Sequence, residues 1–186
     1  MTRAAATLLL AAAAVSLALG LWIPLKAELA QVLLARAWQV ARSDPARIAR
    51  PWPWADTWPV ARLTLPGADR PLTVLAGASG RNLAFGPALL DGTAAPGDDG
   101  VAVIGGHRDT HFRALADVAP GDRLAVERAD GRVFVFEVTA TDVVDASSAR
   151  LALDATEPVL ALVTCYPFDA VAPGGSLRYV VTAVAL

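Results

Sequence analysis

Short apolar runs, separated by turn residues, fill the chain from residue 60 to its end. Asp130-Gly131 joins two of these runs as a hairpin, and this pair favours a type I′ turn. One short helix fits between Thr110 and Val118, with Thr110 as its N-cap. The other runs read VARLTL, PLTVLAG, VAVIGG, LALVTC and YVVTAVAL. About eight strands with few helices predict an all-β domain, either a closed barrel or a sandwich.

Composition restricts the function classes. The chain has 186 residues, 55% of them hydrophobic, and a formal net charge of −2. Because there is no basic excess, nothing favours a nucleic-acid partner. A single cysteine, Cys165, excludes an internal disulfide framework, so the fold must depend on its core and the thiol is available for chemistry.

The N-terminal segment is apolar and uncharged from residue 4 to residue 25. A run of about 20 apolar residues can cross a bilayer as a helix. A cleaved signal peptide is the alternative, but the run is long for one and offers only a weak cleavage site. We therefore predict a membrane anchor over residues 1–25. The count of Arg3 against Lys26, Arg36 and Arg42 mildly favours a cytoplasmic domain after it.

Residues 26–42 have the periodicity of a juxtamembrane helix that packs on the following domain or lies on the membrane surface. Asp44-Pro45 ends this pattern, and RPWPWADTWPV follows as an extended, proline-rich segment. We predict that this segment wraps the domain with its tryptophans turned inward; an aromatic substrate platform is the alternative. The domains are then 1–25, 26–50 and 51–186. The apolar face of the helix is predicted at Leu29, Val32, Leu33, Ala37, Val40 and Ala41.

Three polar residues occur where apolar strands begin or end. His107 follows VAVIGG, Cys165 ends LALVTC, and Arg178 begins the last strand. If the last two strands are antiparallel neighbours, Cys165 and Arg178 lie at the same end of the sheet. If the strand before His107 runs parallel to the strand of Cys165, the histidine reaches the same rim of the fold.

These residue types suit covalent acyl transfer. An ordinary thiol is only a few per cent thiolate at neutral pH, and a neighbouring imidazole can accept its proton. Attack on a carbonyl creates an oxyanion, which the planar guanidinium of arginine can stabilise. Each residue alone also has a structural explanation, since a single cysteine is often a buried filler. His111 is interpreted as a surface or supporting residue. No spacing of His, Cys and acidic residues resembles a zinc site.

The sequences GGHRDTHFRAL, LVTCYPF and PGGSLRYVV resemble the signature of the sortase family. Sortases carry Gly-His at the end of a strand, Thr-x-Thr-Cys or a similar motif at the end of a later strand, and an arginine past the following loop. Here Leu162 replaces the first threonine of that motif. PWPWADTWPVARL and TCYPFDA further resemble sortases of Gram-negative bacteria.

The resemblance implies a closed eight-stranded sortase-type β-barrel with a few short helices, preceded by a transmembrane helix and a juxtamembrane helix. It implies a cysteine transpeptidase that cleaves an LPxTG-like sorting motif near the C-terminus of a secreted protein. Cys165 would be the nucleophile, His107 the proton-transfer partner and Arg178 the group that orients the carbonyl and stabilises the oxyanion. Thr164 would help to bind substrate. No metal or other cofactor is implied.

The implied partners are the secreted protein, an amine acceptor in the cell envelope and the lipid bilayer. The resemblance also implies a single-pass inner-membrane protein whose catalytic domain lies in the periplasm, against the charge count at the anchor. Two alternatives stay open. One is an L,D-transpeptidase-like envelope enzyme, although LVTCYPF lacks the Ser-x-Gly-Cys context of that family. The other is a non-catalytic β-barrel that binds an extended peptide by strand addition.

Overall fold

A long helix leads into a β-barrel in this structure, a computed structural model. It describes residues 3–68, 70–170 and 174–186, and only some of the side chains before residue 30. Helix α1 spans Arg3–Ser43, α2 spans Gly80–Leu83, and a 3₁₀ helix spans Arg113–Asp117. The strands are β1 Pro59–Thr64, β2 Leu72–Ala76, β3 Ala88–Leu89, β4 Gly100–Gly105, β5 Arg123–Arg128, β6 Val133–Asp145, β7 Pro158–Cys165 and β8 Leu177–Ala185.

The strands described close into one barrel in the order β1-β2-β3-β4-β7-β8-β6-β5. The pairs β2–β3 and β4–β7 are parallel, and the other neighbours are antiparallel. Closure removes the exposed edges that an open sheet would leave. The predicted all-β, eight-stranded closed barrel is therefore confirmed for the part of the chain that the structure covers, and the sandwich alternative is wrong.

The barrel interior is packed with side chains from alternate strand positions, as the two-residue period of a strand requires. Strand β1 shows this alternation clearly, with Ala61 and Leu63 fully buried and their neighbours half-buried. The largest side chains inside are Phe112 and Phe136, both fully buried. The remaining fully buried members are Val74, Ile104, Leu115, Leu124, Val126, Leu160, Leu162, Val181 and Ala183.

The hairpin between β5 and β6 forms as predicted, but its turn is of another type. Gly131 has a φ of 87°, whereas Asp130 keeps a negative φ. A type I′ turn needs positive φ at both central residues. The Gly131 N–H donates to the Arg128 carbonyl at 3.0 Å, and the Arg128 N–H donates to the Arg132 carbonyl at 2.9 Å. This is the three-residue loop with a glycine bulge, so the predicted type I′ turn is wrong.

Helix α1 is continuous through residue 25 and packs its last four turns on the barrel. Leu34 is buried against Leu75 of β2 and Ala88 of β3. Trp38 is also buried, and the Arg62 guanidinium lies 5.2 Å from the centre of its ring. Packing on the domain is therefore confirmed. Across the residues described, no helix is both long enough and apolar enough to cross a bilayer.

The buried face of α1 is not the face that the sequence predicts. Leu29 and Val32 are about half exposed, at 56% and 49%, and Val40 is exposed as well. Ala37 and Ala41 belong to both the predicted and the observed face. The residues that contact the barrel side are Ala30, Leu34, Ala37, Trp38 and Ala41. The helix has apolar residues on both sides, so periodicity alone could not select the side on which Trp38 packs.

The proline-rich segment after α1 follows the surface of the barrel, but only part of it turns inward. Trp52 contacts Phe85 edge to face, with ring centres 5.1 Å apart, and Trp58 is half-buried. Trp54 is 81% exposed, so its predicted inward orientation is wrong. Thr57 anchors the segment, because its buried hydroxyl donates to the Ala76 carbonyl of β2 at 2.7 Å.

The packing of α1 predicts a large difference between two identical substitutions in one helix. Leu34→Ala should lower the free energy of unfolding by about 2–5 kcal/mol, because it leaves a cavity against β2 and β3. Leu29→Ala, on the exposed side, should change it by less than about 1 kcal/mol. Urea unfolding of the full chain measures both. Equal losses would show that α1 does not pack on the barrel by this face.

Candidate active site

The ends of three neighbouring strands bring His107, Cys165 and Arg178 together. Strands β4 and β7 run parallel from Gly100 opposite Pro158 to Gly105 opposite Val163. The ladder continues with the Gly106 N–H donating to the Val163 carbonyl at 3.1 Å, so His107 follows at the level of Cys165. On the other side of β7, Cys165 lies directly opposite Arg178 of β8. The parallel pairing and the shared rim are therefore confirmed.

The site lies on the outer face of the barrel wall. Leu160, Leu162 and Thr164 of β7 are buried toward the interior. Cys165 has the opposite parity, so its half-buried side chain shares a face with Ala161 and Val163 on the outside. Directly opposed residues of an antiparallel pair present their side chains on the same face, which places the Arg178 side chain beside Cys165.

A close contact beneath the histidine requires a glycine. A Cβ at Gly106 would lie 2.7 Å from the ring of the fully buried Phe112, so only glycine fits there. The Phe112 N–H donates to the His107 carbonyl at 3.0 Å and closes the loop after β4. His107 itself is exposed at the rim. The 3₁₀ helix begins after Phe112 without a side-chain cap, so the predicted N-cap at Thr110 is wrong.

Thr164 links β7 to the end of β4. Its side chain is buried, with 2% exposed, and its hydroxyl donates to the Gly106 carbonyl at 2.8 Å. The bond joins the residue before Cys165 to the residue before His107. The structure therefore places the Thr164 hydroxyl between β4 and β7 and not on the outer face, and its substrate-binding role stays a prediction.

The Arg178 side chain on β8 forms hydrogen bonds with two backbone carbonyls. Its Nη1 atom donates to the carbonyls of Gly175 at 2.9 Å and Leu177 at 2.8 Å. Hydrogen bonds from the side chain and backbone of Ser147 lower the pKa of Asp145, and the charge of Arg178 lowers it further. A carboxylate thus stays charged near the guanidinium, which carries five N–H donors and uses one nitrogen in these bonds.

The second histidine, His111, is partly removed from solvent. His111 is half-buried in the loop before the 3₁₀ helix, and its Nδ1 lies 3.3 Å from the Thr110 hydroxyl. Burial lowers the pKa of His111 below the ordinary value of 6.5, and the charge of His107 lowers it further. Both effects disfavour the protonated form of His111.

Two further features of the rim escaped the sequence analysis. Tyr166 and Tyr179 stack with ring centres 6.3 Å apart, and Phe168 lies edge to face with Tyr179 at 5.1 Å. The strand-like alternation around Tyr179 was the available signal for its inward orientation. Arg108, next to His107, is buried.

In the part of the chain described, no group of three or more His, Cys, Asp and Glu residues is placed to hold a metal ion.

Comparison with known proteins gives one family model and several similar proteins. A family model described as "Sortase domain" matches residues 63–186. Sortase D of Bacillus subtilis is 30% identical over 120 residues, which are 64% of this chain and 60% of that protein. The chain thus matches less than two thirds of the length of this relative.

Solved structures share the barrel. The Sortase D5 transpeptidase of Clostridium perfringens aligns with a TM-score of 0.63 and 21% identity, covering 80% of this chain and 88% of that one. Sortase A of Corynebacterium diphtheriae aligns with a TM-score of 0.64 and 24% identity, covering 84% of each chain. At these identities the likeness establishes the fold.

The Thr164 bond predicts a stability difference between two substitutions. Thr164→Val should lower the free energy of unfolding by about 1–3 kcal/mol, because it leaves the buried Gly106 carbonyl without its donor. Thr164→Ser keeps the hydroxyl and should lose less. Urea unfolding of both variants is the measurement. If valine proved as stable as the wild type, the bond would not contribute to holding β4 on β7.

The environment of His111 predicts a dependence on pH. Since the folded protein disfavours the protonated ring, the unfolded chain binds more protons below about pH 6.5, and stability falls as pH decreases through that range. His111→Gln removes this penalty, so its stability should fall less between about pH 7.5 and pH 5 than that of the wild type. Urea unfolding at each pH compares the two proteins. Parallel stability curves would contradict the burial of a neutral ring.

Proposed function

The chain belongs to the sortase family, and we propose that it is a membrane-anchored cysteine transpeptidase. Its substrate is a secreted protein with an LPxTG-like sorting motif near the C-terminus. The enzyme cleaves that motif through a thioester on Cys165 and transfers the acyl group to an amine acceptor in the cell envelope. The family resemblance of the motifs around His107, Cys165 and Arg178 supports these residue roles.

The observation that carries the proposal is the alignment of the ends of β4, β7 and β8. His107 follows the end of β4, Cys165 ends β7, and Arg178 lies opposite Cys165 on β8, so a base, a thiol and a cation occur at one rim. Neighbouring strands lie about 4.8 Å apart, so one peptide group can contact side chains from all three. The interior of the barrel is filled, whereas Cys165 is half-buried at the strand end and His107 is exposed beside it.

The proposed reaction begins with the thiol. His107 takes the proton of the Cys165 thiol, and the sulfur attacks the scissile carbonyl carbon. The electron pair of the C=O bond moves to oxygen, where the Arg178 guanidinium stabilises the negative charge. As the C=O bond re-forms, the C–N bond breaks and the imidazolium of His107 gives its proton to the leaving amine. This leaves a thioester on Cys165.

The second half of the reaction uses the same groups in reverse. The acceptor amine attacks the thioester carbon, and His107 removes its proton. The oxyanion collapses again, the C–S bond breaks, and the product carries a new amide bond. The Cys165 sulfur leaves as a thiolate and recovers its proton from the imidazolium. A water molecule in place of the amine would give hydrolysis.

We further propose that the chain is held in the inner membrane by its N-terminal segment, with the catalytic domain in the periplasm. The uncharged run over residues 4–25 supports an anchor, although residues 1 and 2 and some of its side chains lie outside what the structure describes. A secreted substrate and an envelope acceptor are accessible only outside the cytoplasm. Lipid, secreted protein and acceptor are therefore the expected partners.

Of the two alternative functions, one lacks support from the relatives and the other requires an experiment. An L,D-transpeptidase-like enzyme has no support, because the relatives and the family model are sortases. A non-catalytic peptide-binding barrel would keep the fold and would not depend on the thiol. Substitution of Cys165 therefore separates it from the proposed enzyme.

Four substitutions test the proposed roles with a fluorescent LPxTG-like peptide and an amine acceptor. Cys165→Ala should abolish the covalent adduct seen by mass spectrometry. His107→Ala should lower turnover by about 10²–10⁴-fold, and Arg178→Ala by about 10²–10³-fold. Arg178→Lys should restore only part of this loss, since a single ammonium lacks the planar pair of donors.

The matched control is Arg123→Ala, an exposed arginine on β5, which adjoins neither β4 nor β7. It should retain the wild-type rate. Turnover that survives in Cys165→Ala would rule out the thioester mechanism. Full activity of Arg178→Lys would show that the guanidinium geometry is not used.

A further inference from the structure

Arg108 is the one buried charged residue among those that the structure describes, with 5% of its surface exposed. A charged side chain is almost never fully buried unless it is paired, because removing it from water is costly. The residue follows His107 directly in the chain. Its burial beside the candidate catalytic histidine therefore needs a reason.

The guanidinium reaches from the histidine loop to the segment that follows the cysteine. Its Nη1 donates to the Pro167 carbonyl at 2.7 Å, and its Nη2 donates to the Ala170 carbonyl at 3.1 Å. Its Nε donates to the Asp109 carboxylate at 3.0 Å. Pro167 is two residues after Cys165, so the side chain connects the flanks of the two catalytic residues.

The two carbonyls belong to one turn, in which the Ala170 N–H donates to the Pro167 carbonyl at 3.4 Å. Hydrogen bonds from a charged donor are about twice as strong as neutral ones, and the planar guanidinium fixes two acceptors at once. A lysine ammonium is a single point of charge and does not match this two-point geometry. The arrangement thus favours arginine for a geometric reason and not only for its charge.

We propose that Arg108 is a positioning residue that sets the alignment of His107 with Cys165. It does so by tying the start of the histidine loop to the first turn of the β7–β8 connection. This inference rests on the proposed function, because it assumes that the imidazole and the thiol act as a pair. A misplacement of about 1 Å in such a pair can cost about 10²-fold in rate.

The Thr164 bond and the Arg108 contacts both connect the end of β4 to the end of β7, but at different positions along the chain. Thr164 holds the strands in register from inside the barrel, up to Gly106. Arg108 acts beyond the strand ends, where the backbone of His107 leaves the ladder. Without Arg108, β4 and β7 would keep their register, while the loop that carries His107 would lose its tether to the segment after Cys165.

The experiment uses iodoacetamide, which alkylates a thiolate and needs no knowledge of the natural substrate. The alkylation rate of Cys165 is measured across pH for the full chain, folded and in urea. In the folded wild type, pairing with His107 should make this pH profile differ from that of the unfolded chain. Arg108→Lys and Arg108→Met should move the profile toward the unfolded one and lower the rate at neutral pH by about 10-fold or more.

Two matched controls separate the tether from other effects. Arg123→Lys makes the same chemical change at an exposed position of β5 and should leave the profile unchanged. Asp109→Asn keeps an acceptor for Nε and both carbonyl bonds, so it should also keep the wild-type profile. If Asp109→Asn shifted the profile as far as Arg108→Lys, charge pairing and not the tether would be responsible, and the proposal would be wrong.

The outcomes distinguish this inference from the proposed function. If the Arg108 variants unfold more easily but alkylate with the wild-type profile below their transition, the residue is merely structural and the inference fails alone. If the folded wild type already alkylates like its unfolded chain, Cys165 and His107 do not act as a pair, and both proposals fail. Arg108→Lys keeps the buried charge and Asp109, so it also provides a folded variant if Arg108→Met does not fold.

Discussion

The parallel pairing of β4 with β7 is the interaction on which the rest of the site depends. It joins strands that are more than fifty residues apart in sequence, with Gly100 opposite Pro158 at its start. Since both strands end at the same edge, the residues that follow them emerge side by side. The antiparallel partner β8 begins at that edge and supplies Arg178.

The register of this pairing matters as much as its direction. A slip of one residue reverses the face of every side chain in a strand. In β7 it would turn Cys165 toward the packed interior and Thr164 toward solvent. The burial of Leu160 and Leu162 opposes such a slip through the hydrophobic core, and the Thr164 hydroxyl opposes it through its bond to Gly106. The same residues that stabilise the barrel thereby orient the thiol.

Much of this arrangement could be predicted from local sequence, and the missing parts were non-local. Alternating apolar residues and turn pairs identified seven of the strands, and strand ends marked His107, Cys165 and Arg178. The two-residue strand β3 has no period of its own to detect. The predicted type of the turn at Gly131 is wrong, because the Asp-Gly pair also suits the three-residue loop that the flanking register selects.

The wrong face predicted for α1 and the absence of any prediction for Arg108 have a common physical origin. Leu29 and Leu34 are the same residue type in one helix, and only the shape of the barrel beside them decides which is buried. Arg108 likewise reads as a surface residue, because its partners are backbone carbonyls, and those are present at every position of any sequence. A hydrogen-bond partner that is a side chain can be recognised by its residue type in the sequence, whereas a backbone carbonyl cannot.

The filled interior explains why the site must lie on the outer wall. Phe112 and Phe136 fill the barrel with no exposed surface, and Phe168 and Tyr179 at the rim pack on the same core. A small barrel can either hold side chains or enclose a ligand, and this one holds side chains. The proposed peptide substrate would therefore bind outside the barrel, at the rim where β7 ends in Cys165. Both faces of β7 are packed along most of its length, with Leu160 and Leu162 toward the interior and Ala161 against Val101 and Val103 outside. The thiol is half-buried because Cys165 comes at the end of the strand, beyond the outer cluster.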